Sequence, residues 1–175
     1  PIKSSAASDV YKRQGQLTIK YKGPSDKEQM QCAIIVYSTA LEYVENNGLG
    51  SIQIVSPISG AAFQAKVLGN GSISAPQIDY GIVKASVLTG KGKISLTGKC
   101  REAELSVTGA GQIEADRLTA RDVTCRIRGV GVIGCHATQK LTAKATGNGE
   151  VYYRGTPEIK KLSLGELSVR SLEGK

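Results

Sequence analysis

One spacing constrains this chain more than any other. Gly-x-Gly recurs six times, at Gly48/Gly50, Gly69/Gly71, Gly90/Gly92, Gly109/Gly111, Gly129/Gly131 and Gly147/Gly149. The first glycines lie 21, 21, 19, 20 and 18 residues apart. A further step of 18 reaches Gly165, where Leu167 replaces the second glycine. A period this short and this regular marks a solenoid, in which no repeat can bury its apolar face alone and the stack is the folding unit.

The residues around each pair repeat as well. Two positions beyond the second glycine stand Ile52, Ile73, Ile94, Ile113, Ile133 and Val151, and four beyond stand Ile54, Ala75, Leu96, Ala115, Cys135 and Tyr153. The same alternation precedes the glycines, as in Ala103, Leu105 and Val107, or Val123, Cys125 and Ile127. Apolar residues at every second position make a strand with one buried face. Residues 112–128 hold three such inward groups (Ile113 and Ala115; Leu118 and Ala120; Val123, Cys125 and Ile127), with polar corners at Asp116–Arg117 and Arg121–Asp122. There is no Trp, one Phe and one Met, so Ile, Val, Leu and Ala must fill the interior, as suits stacked strands. Glycine at the corner supplies the positive φ that a sharp turn between strands needs, and all twelve glycines of the six pairs are expected to be corner residues. These observations predict an all-β, single-domain parallel β-helix with coils of about 20 residues. Cys125 and Cys135 fall on inward positions at different places around the coil, which predicts buried free thiols rather than a disulfide.

The first residues differ in kind. Residues 1–14, PIKSSAASDVYKRQ, share nothing with the repeat, and SAASDVYKRQ resembles translated sequencing-adapter sequence. They are expected to be non-native and disordered, an ordinary N-terminal tail being the alternative. The domain is then 15–175, shortened at its N-terminus, with any export signal lost. Strands are expected at Gln16–Lys22, Ala33–Tyr37 and Leu41–Val44, with a loop at 23–29 and a turn at Asn46–Gly48.

Charge and motifs remove most functional classes. The net charge is +8, spread along the chain, with Lys91/Lys93 and Lys160/Lys161 the densest pairs. No basic block is interleaved with aromatics, which argues against nucleic acid. The longest apolar run, Ala33 to Val36, is far below the eighteen or so residues of a membrane-spanning helix. No two of Cys32, Cys100, Cys125 and Cys135 form a C-x-x-C pair, so no zinc site is expected.

Gly129 to Gly134 (GVGVIG) matches a dinucleotide fingerprint, but a strand pattern follows where the motif needs a helix. GKISLTGK, residues 92–99, has one residue too many for a phosphate loop, and Cys100 stands where Ser or Thr should be. The corners lack the Asp of calcium-binding β-rolls. His136 is the only histidine, so neither a catalytic triad nor a metal site is predicted. No cofactor is implied. Glu102, Glu104, Glu114, Asp116 and Asp122 are the candidates for sugar-cleaving acid–base chemistry, which would need paired carboxylates at set separations. The simpler reading is a solvated charged face. Thr89, Thr108 and Thr146 precede three corners, but Arg128 interrupts that ladder.

The repeats GLGSIQI, GNGSISA, GKGKISL, GAGQIEADRLTARDV and GNGEVYYRGTPEI together resemble the head GIN domain family of autotransporter-adhesin-like proteins, over about residues 15–175. The last segment is the most specific, with Gly147, Gly149, Val151, Tyr152 or Tyr153, Gly155 and Pro157 matching the family's closing turn. The loss of glycine at Leu167 departs from the pattern and leaves the last coil open to fraying. The resemblance implies an exported protein of Bacteroidetes-type bacteria, β-helical and without known catalysis, with no functional residues to carry over.

The expectation is a non-catalytic envelope or surface module, periplasmic or surface-exposed, that binds glycan or extracellular protein on flat polar faces. The alternatives are a carbohydrate-active β-helix enzyme using outer-face carboxylates, and a purely structural module that pairs chains through exposed helix ends.

Overall fold

The computed structural model describes residues 8–13, 16–21, 35–38 and 40–172. The chain divides into two units, residues 1–37 and 38–175. The first holds an antiparallel hairpin of β1 (Ser8–Arg13) and β2 (Gln16–Tyr21), with Ser8 opposite Tyr21 and Arg13 opposite Gln16. The disorder expected for residues 1–14 is thus corrected over 8–13, and the boundary drawn at residue 15 falls inside this hairpin. Val10 and Tyr11 are strand formers, and a two-residue connection is the commonest hairpin length. Residues 35–38 lie in no strand and are exposed, so the strand expected at Ala33–Tyr37 is not formed over its described part. Its first two residues, Cys32 and the loop at 23–29 lie outside the described residues.

The second unit is the β-helix. Its strands are β3 (Tyr43–Asn46), β4 (Ser51–Gln53), β5 (Ile58–Leu68), β6 (Ser72–Thr89), β7 (Lys93–Gly109), β8 (Gln112–Arg154), β9 (Glu158–Leu164) and β10 (Leu167–Ser171). Every pairing among them is parallel, and each joins a residue to its equivalent one coil later. The long strands run through corners, with register shifts at Ala75–Ile78 and Ser95–Thr97, and β8 alone winds through more than two coils.

Register stacks like on like. Ile52, Ile73, Ile94 and Ile113 form one inward column. Val67, Val87, Val107 and Ile127 form a second. Phe63, Val83, Ala103 and Val123 form a third. These side chains are buried except Ile52, which is partly buried at the N-terminal end. Each buried Val, Leu or Ile contributes roughly 1.5–3 kcal/mol, set against the entropy of ordering the coil. Bulk is accommodated by small neighbours. Tyr80 stacks between Gly60 and Cys100, and a Cβ on Gly60 would sit 2.8 Å from its ring. Its ring lies 5.3 Å from that of Phe63, and its hydroxyl donates to the Leu41 carbonyl at 2.6 Å.

The two glycines of a corner do different work. The first takes positive φ, at Gly69, Gly90, Gly109, Gly129 and Gly147, and Gly165 keeps the same conformation. The second stands beside it but takes no positive φ. Gly71, Gly92, Gly111, Gly131 and Gly149 all lack positive φ and are all buried, and Gly131 and Gly149 continue the strand β8. Their role is to make room. A Cβ would lie 2.4 Å from Val87 Cγ1 on Gly111, 2.5 Å from Val67 Cγ1 on Gly92, and 2.6 Å from Val107 Cγ1 on Gly131. Each of these three therefore clears space for the valine column of the preceding coil. Gly71 clears space for polar groups instead. Its Cβ would lie 2.5 Å from the Gly48 carbonyl oxygen and 2.6 Å from the Asn46 amide nitrogen.

The Gly48/Gly50 corner departs from both rules: Gly48 lacks positive φ, and a Cβ on Gly50 would meet open space. There the turn is held by Asn46, a buried polar side chain on the column that continues as Val67 and Val87. Its amide donates to the carbonyls of Gly50 (2.8 Å) and Ser72 (3.0 Å), and its oxygen accepts from Gly48 N–H (3.0 Å).

The last coil is paired rather than frayed, with β9 on residues 140–146 and β10 on 149–153. Leu167 is buried opposite Gly149. Gly149 faces the bulky Ile127, whereas one coil on that column holds Ala145, small enough to receive a leucine.

Candidate functional site

With the inward positions committed to packing, any site must lie on the outer faces, which the register defines. The face following the Gly-x-Gly corner carries Lys93, Gln112, Glu114, Asp116, Glu150, Tyr152, Arg154, Ser168 and Arg170. Its charges meet one another. Lys93 pairs with Glu114 at 2.7 Å, Gln112 donates to the same carboxylate at 3.0 Å, and Arg154 reaches Asp116 at 3.2 Å. The Tyr152 hydroxyl donates to Glu150 at 2.6 Å, which raises the phenol's pKa.

The middle face carries Asp79 with Lys99 (3.0 Å) and Thr119 beside His136 (Oγ1 to Nδ1, 3.3 Å). His136 is half-buried at this contact. A shallow depression of about 560 Å³ lies here, bordered by Pro57, Pro76, Gln77 and Lys99.

The face leading into the corner begins with Glu45, hydrogen-bonded by Tyr43 and paired with Lys66 at 3.2 Å. The Tyr43 phenol is pushed up to about 12, by burial first and the Glu45 bond second. Further along, Glu104 lies between Lys84 (3.7 Å) and Arg126 (3.6 Å). Beyond Glu104 this face carries four exposed cations, Arg126, Arg128, Lys144 and Lys160, against the acids Asp122 and Glu158.

The five candidate carboxylates are therefore split between two faces. Glu114 and Asp116 follow the corner; Glu102, Glu104 and Asp122 precede it. Glu102 and Asp122 are register partners on adjacent coils. Each nonetheless bonds its own neighbour, Arg101 at 3.3 Å and Arg121 at 3.2 Å, on an open surface. Among the described residues, no three His, Cys, Asp or Glu side chains come together as a metal site would need. Cys125 and Cys135 are free and buried, and the neighbouring Cys135 helps to raise the Cys125 thiol's pKa, a proximity that their separate places around the coil did not suggest. Asn46 is the structural residue that sequence reasoning undervalued. Asn-Asn-Gly announced a turn, but only the stacking of Asn46 on Val67 reveals it as the polar end of an apolar column.

A family model described as "Putative auto-transporter adhesin, head GIN domain" matches residues 6–157. The chain belongs to this family. The match opens within the N-terminal segment that stands outside the repeat and ends at the Gly-x-Pro turn. No curated protein matches the chain. Among solved structures, a "putative adhesin" from Bacteroides fragilis NCTC 9343 is 27% identical with a TM-score of 0.81, the alignment covering 94% of this chain and 76% of that one. A "putative lipid binding protein" from Parabacteroides distasonis ATCC 8503 is 25% identical with a TM-score of 0.73, covering 95% and 79%. A "putative adhesin" from Parabacteroides merdae ATCC 43184, at 23% identity and a TM-score of 0.71, shares the fold over 95% of this chain and 78% of its own. This head GIN domain is thus adhesin-like, of a kind associated with the envelope or cell surface. Among the described residues, no helix is long and apolar enough to cross a membrane.

Proposed function

We propose that this chain is a non-catalytic binding module of the bacterial envelope, periplasmic or surface-exposed, that engages glycan or protein through its flat outer faces. One observation carries the reading. Inward side chains stay apolar from coil to coil, whereas outward ones vary in charge and size, as in Ser72, Lys93 and Gln112, or Lys84, Glu104 and Thr124. A rigid face of varied polar groups presents hydrogen-bonding partners without a backbone ordering cost on binding. The candidate carboxylates support binding over glycoside cleavage. A hydrolase needs one acid held protonated opposite a carboxylate base or nucleophile, and each candidate here is held by a cation instead.

The test is an array of glycans and extracellular-matrix proteins probed with the full chain, with soluble products assayed in parallel. Saturable binding without product release is expected. Release of oligosaccharides that Glu102→Gln and Asp122→Asn abolish would replace this reading with the enzymatic one. Exposed Ile159, Leu162 and Leu164 in β9 favour a second role, pairing of chains at the C-terminal end of the stack. Sedimentation velocity checks it, a monomer at all concentrations being the contrary result.

A further inference from the structure

We infer that the basic half of the face leading into the corner is a subsite for a linear anionic polysaccharide, its cations Arg126, Arg128, Lys144 and Lys160 receiving carboxylate or sulfate groups. This deepens the binding reading above and rests on it.

The argument begins with charge balance. Elsewhere several outward cations have acids to meet: Lys66 has Glu45, Lys93 has Glu114, Lys99 has Asp79 and Arg154 has Asp116. On this face Glu104 is shared by Lys84 and Arg126, while Asp122, on the next coil, is held by its neighbour Arg121. Among the described residues, Arg128, Lys144 and Lys160 have no ion-pair partner. Gly147 packs directly on Gly129, and the same offset sets Lys144 one coil from Arg126. Like charges opposite each other on neighbouring strands repel, so stacking them leaves a surface that an added anion would relieve. The Arg126–Glu104 contact is long and solvent-exposed, worth little, and easily exchanged for a ligand oxygen.

Geometry selects a chain-like ligand. Successive coils advance by about 4.8 Å, and alternate outward residues along a strand lie about 7 Å apart. The first spacing is comparable to the advance of one sugar residue. Thr142 pairs with Lys160 across coils and is half-buried, as is Thr124 on the coil before, so hydroxyls lie among the cations to bond sugar hydroxyls. Arginine suits planar carboxylate and sulfate groups, which it can hold with two parallel hydrogen bonds.

The test titrates the full chain with polygalacturonate, dextran sulfate and neutral dextran. It compares wild type, Arg126→Ala/Lys144→Ala, and Lys93→Ala/Lys99→Ala, which removes the same charge from the other faces. Thermal melting should match in all three, since every substituted side chain is outward. Binding of the charged polymers, weaker at higher salt, should fall about tenfold in the first variant and little in the second, the expected loss for two exposed contacts. Equal losses in both variants would reduce the effect to net charge and overturn the inference. Retention of array ligands by Arg126→Ala/Lys144→Ala, with no charged polymer bound by wild type, would overturn it while leaving the binding reading standing. Tighter binding to anionic lipid vesicles or to DNA than to either polymer would also overturn it, by assigning the patch to another partner. No binding to any array member would remove both readings together.

Discussion

The inward and outward columns of this β-helix follow opposite rules. Ile52, Ile73, Ile94 and Ile113 occupy one inward column, while one residue away the outward positions read Ser51, Ser72, Lys93 and Gln112. Inside, each side chain packs on its equivalents above and below, so a change at one coil strains two others. Outside, a change disturbs only exposed contacts, each worth a fraction of a kcal/mol. The fold is therefore specified several times over, while each outer face is specified once. That separation lets one architecture carry different surfaces, which is why the fold alone names no ligand.

The sharpest way to break this comparison is to substitute neighbours across it. Ile113→Ala should cost about 2–5 kcal/mol, because the void sits between two packed coils. Glu114→Ala, the next residue, should cost less than about 1 kcal/mol. Urea denaturation of the full chain measures both, and similar midpoints would mean that the coils do not share one core. Next in size is Gly111→Ala, whose Cβ would press on Val87 at 2.4 Å. Overpacking of this kind costs roughly 1–3 kcal/mol, and Gly111→Val should cost more. Val87→Ala in the Gly111→Ala background should restore part of the loss. The matching change at Gly129 should gain nothing from a side-chain deletion, since it meets positive φ and the backbone of Gly109. Arg117→Ala, exposed at a corner, should move stability by less than about 0.5 kcal/mol.

These contrasts also explain what could be read from the chain beforehand. The coil length, the inward residues and the glycine-marked corners were legible because each is repeated six times and a period survives local noise. The two jobs of the glycines were not separable. Gly111 and Gly131 look like turn residues in sequence, and the valines they make room for, Val87 and Val107, come against them only once the coils are stacked. The strand expected at Ala33–Tyr37 rested on an apolar run alone, and over its described part that run finds no ladder partner. The basic patch was invisible for a related reason. Arg126, Arg128, Lys144 and Lys160 are scattered over 35 residues of sequence, and only the register places them on one face. The hairpin at Ser8–Arg13 escaped notice because its partner is antiparallel and local, outside the repeat altogether.

Smaller effects test the ends and the interior chemistry. Asn46→Ala should cost about 1–3 kcal/mol, since it leaves the Gly48 N–H and the Ser72 carbonyl without their partner where the Val67–Val87 column ends. Asn46→Val, which merely extends the valine column, should not rescue it. A recovery would mean that the end of the stack needs bulk rather than hydrogen bonds.

The smallest predicted effect is a dependence on alkaline pH. Cys100 stands in the column of Gly60, Tyr80 and Ala120, and burial pushes its thiol from an ordinary value near 9 up to about 12. The Cys125 thiol is also raised, first by its hydrogen bond to Cys135 and then by burial. Above pH 9 the unfolded chain loses these protons while the folded chain keeps them. Their contribution to stability is therefore complete below about pH 9 and declines as pH rises toward 12. Tyr80 and Tyr43 titrate in the same direction, so the informative quantity is a difference between variants. The loss of urea midpoint between pH 8 and pH 10.5 should be smaller in Cys100→Ala than in wild type. Alkylation by iodoacetamide at pH 8 should spare Cys125 until denaturant is added. If the two pH slopes coincide, Cys100 is no more shielded than an outward residue, and the line drawn between inner and outer columns fails at that position.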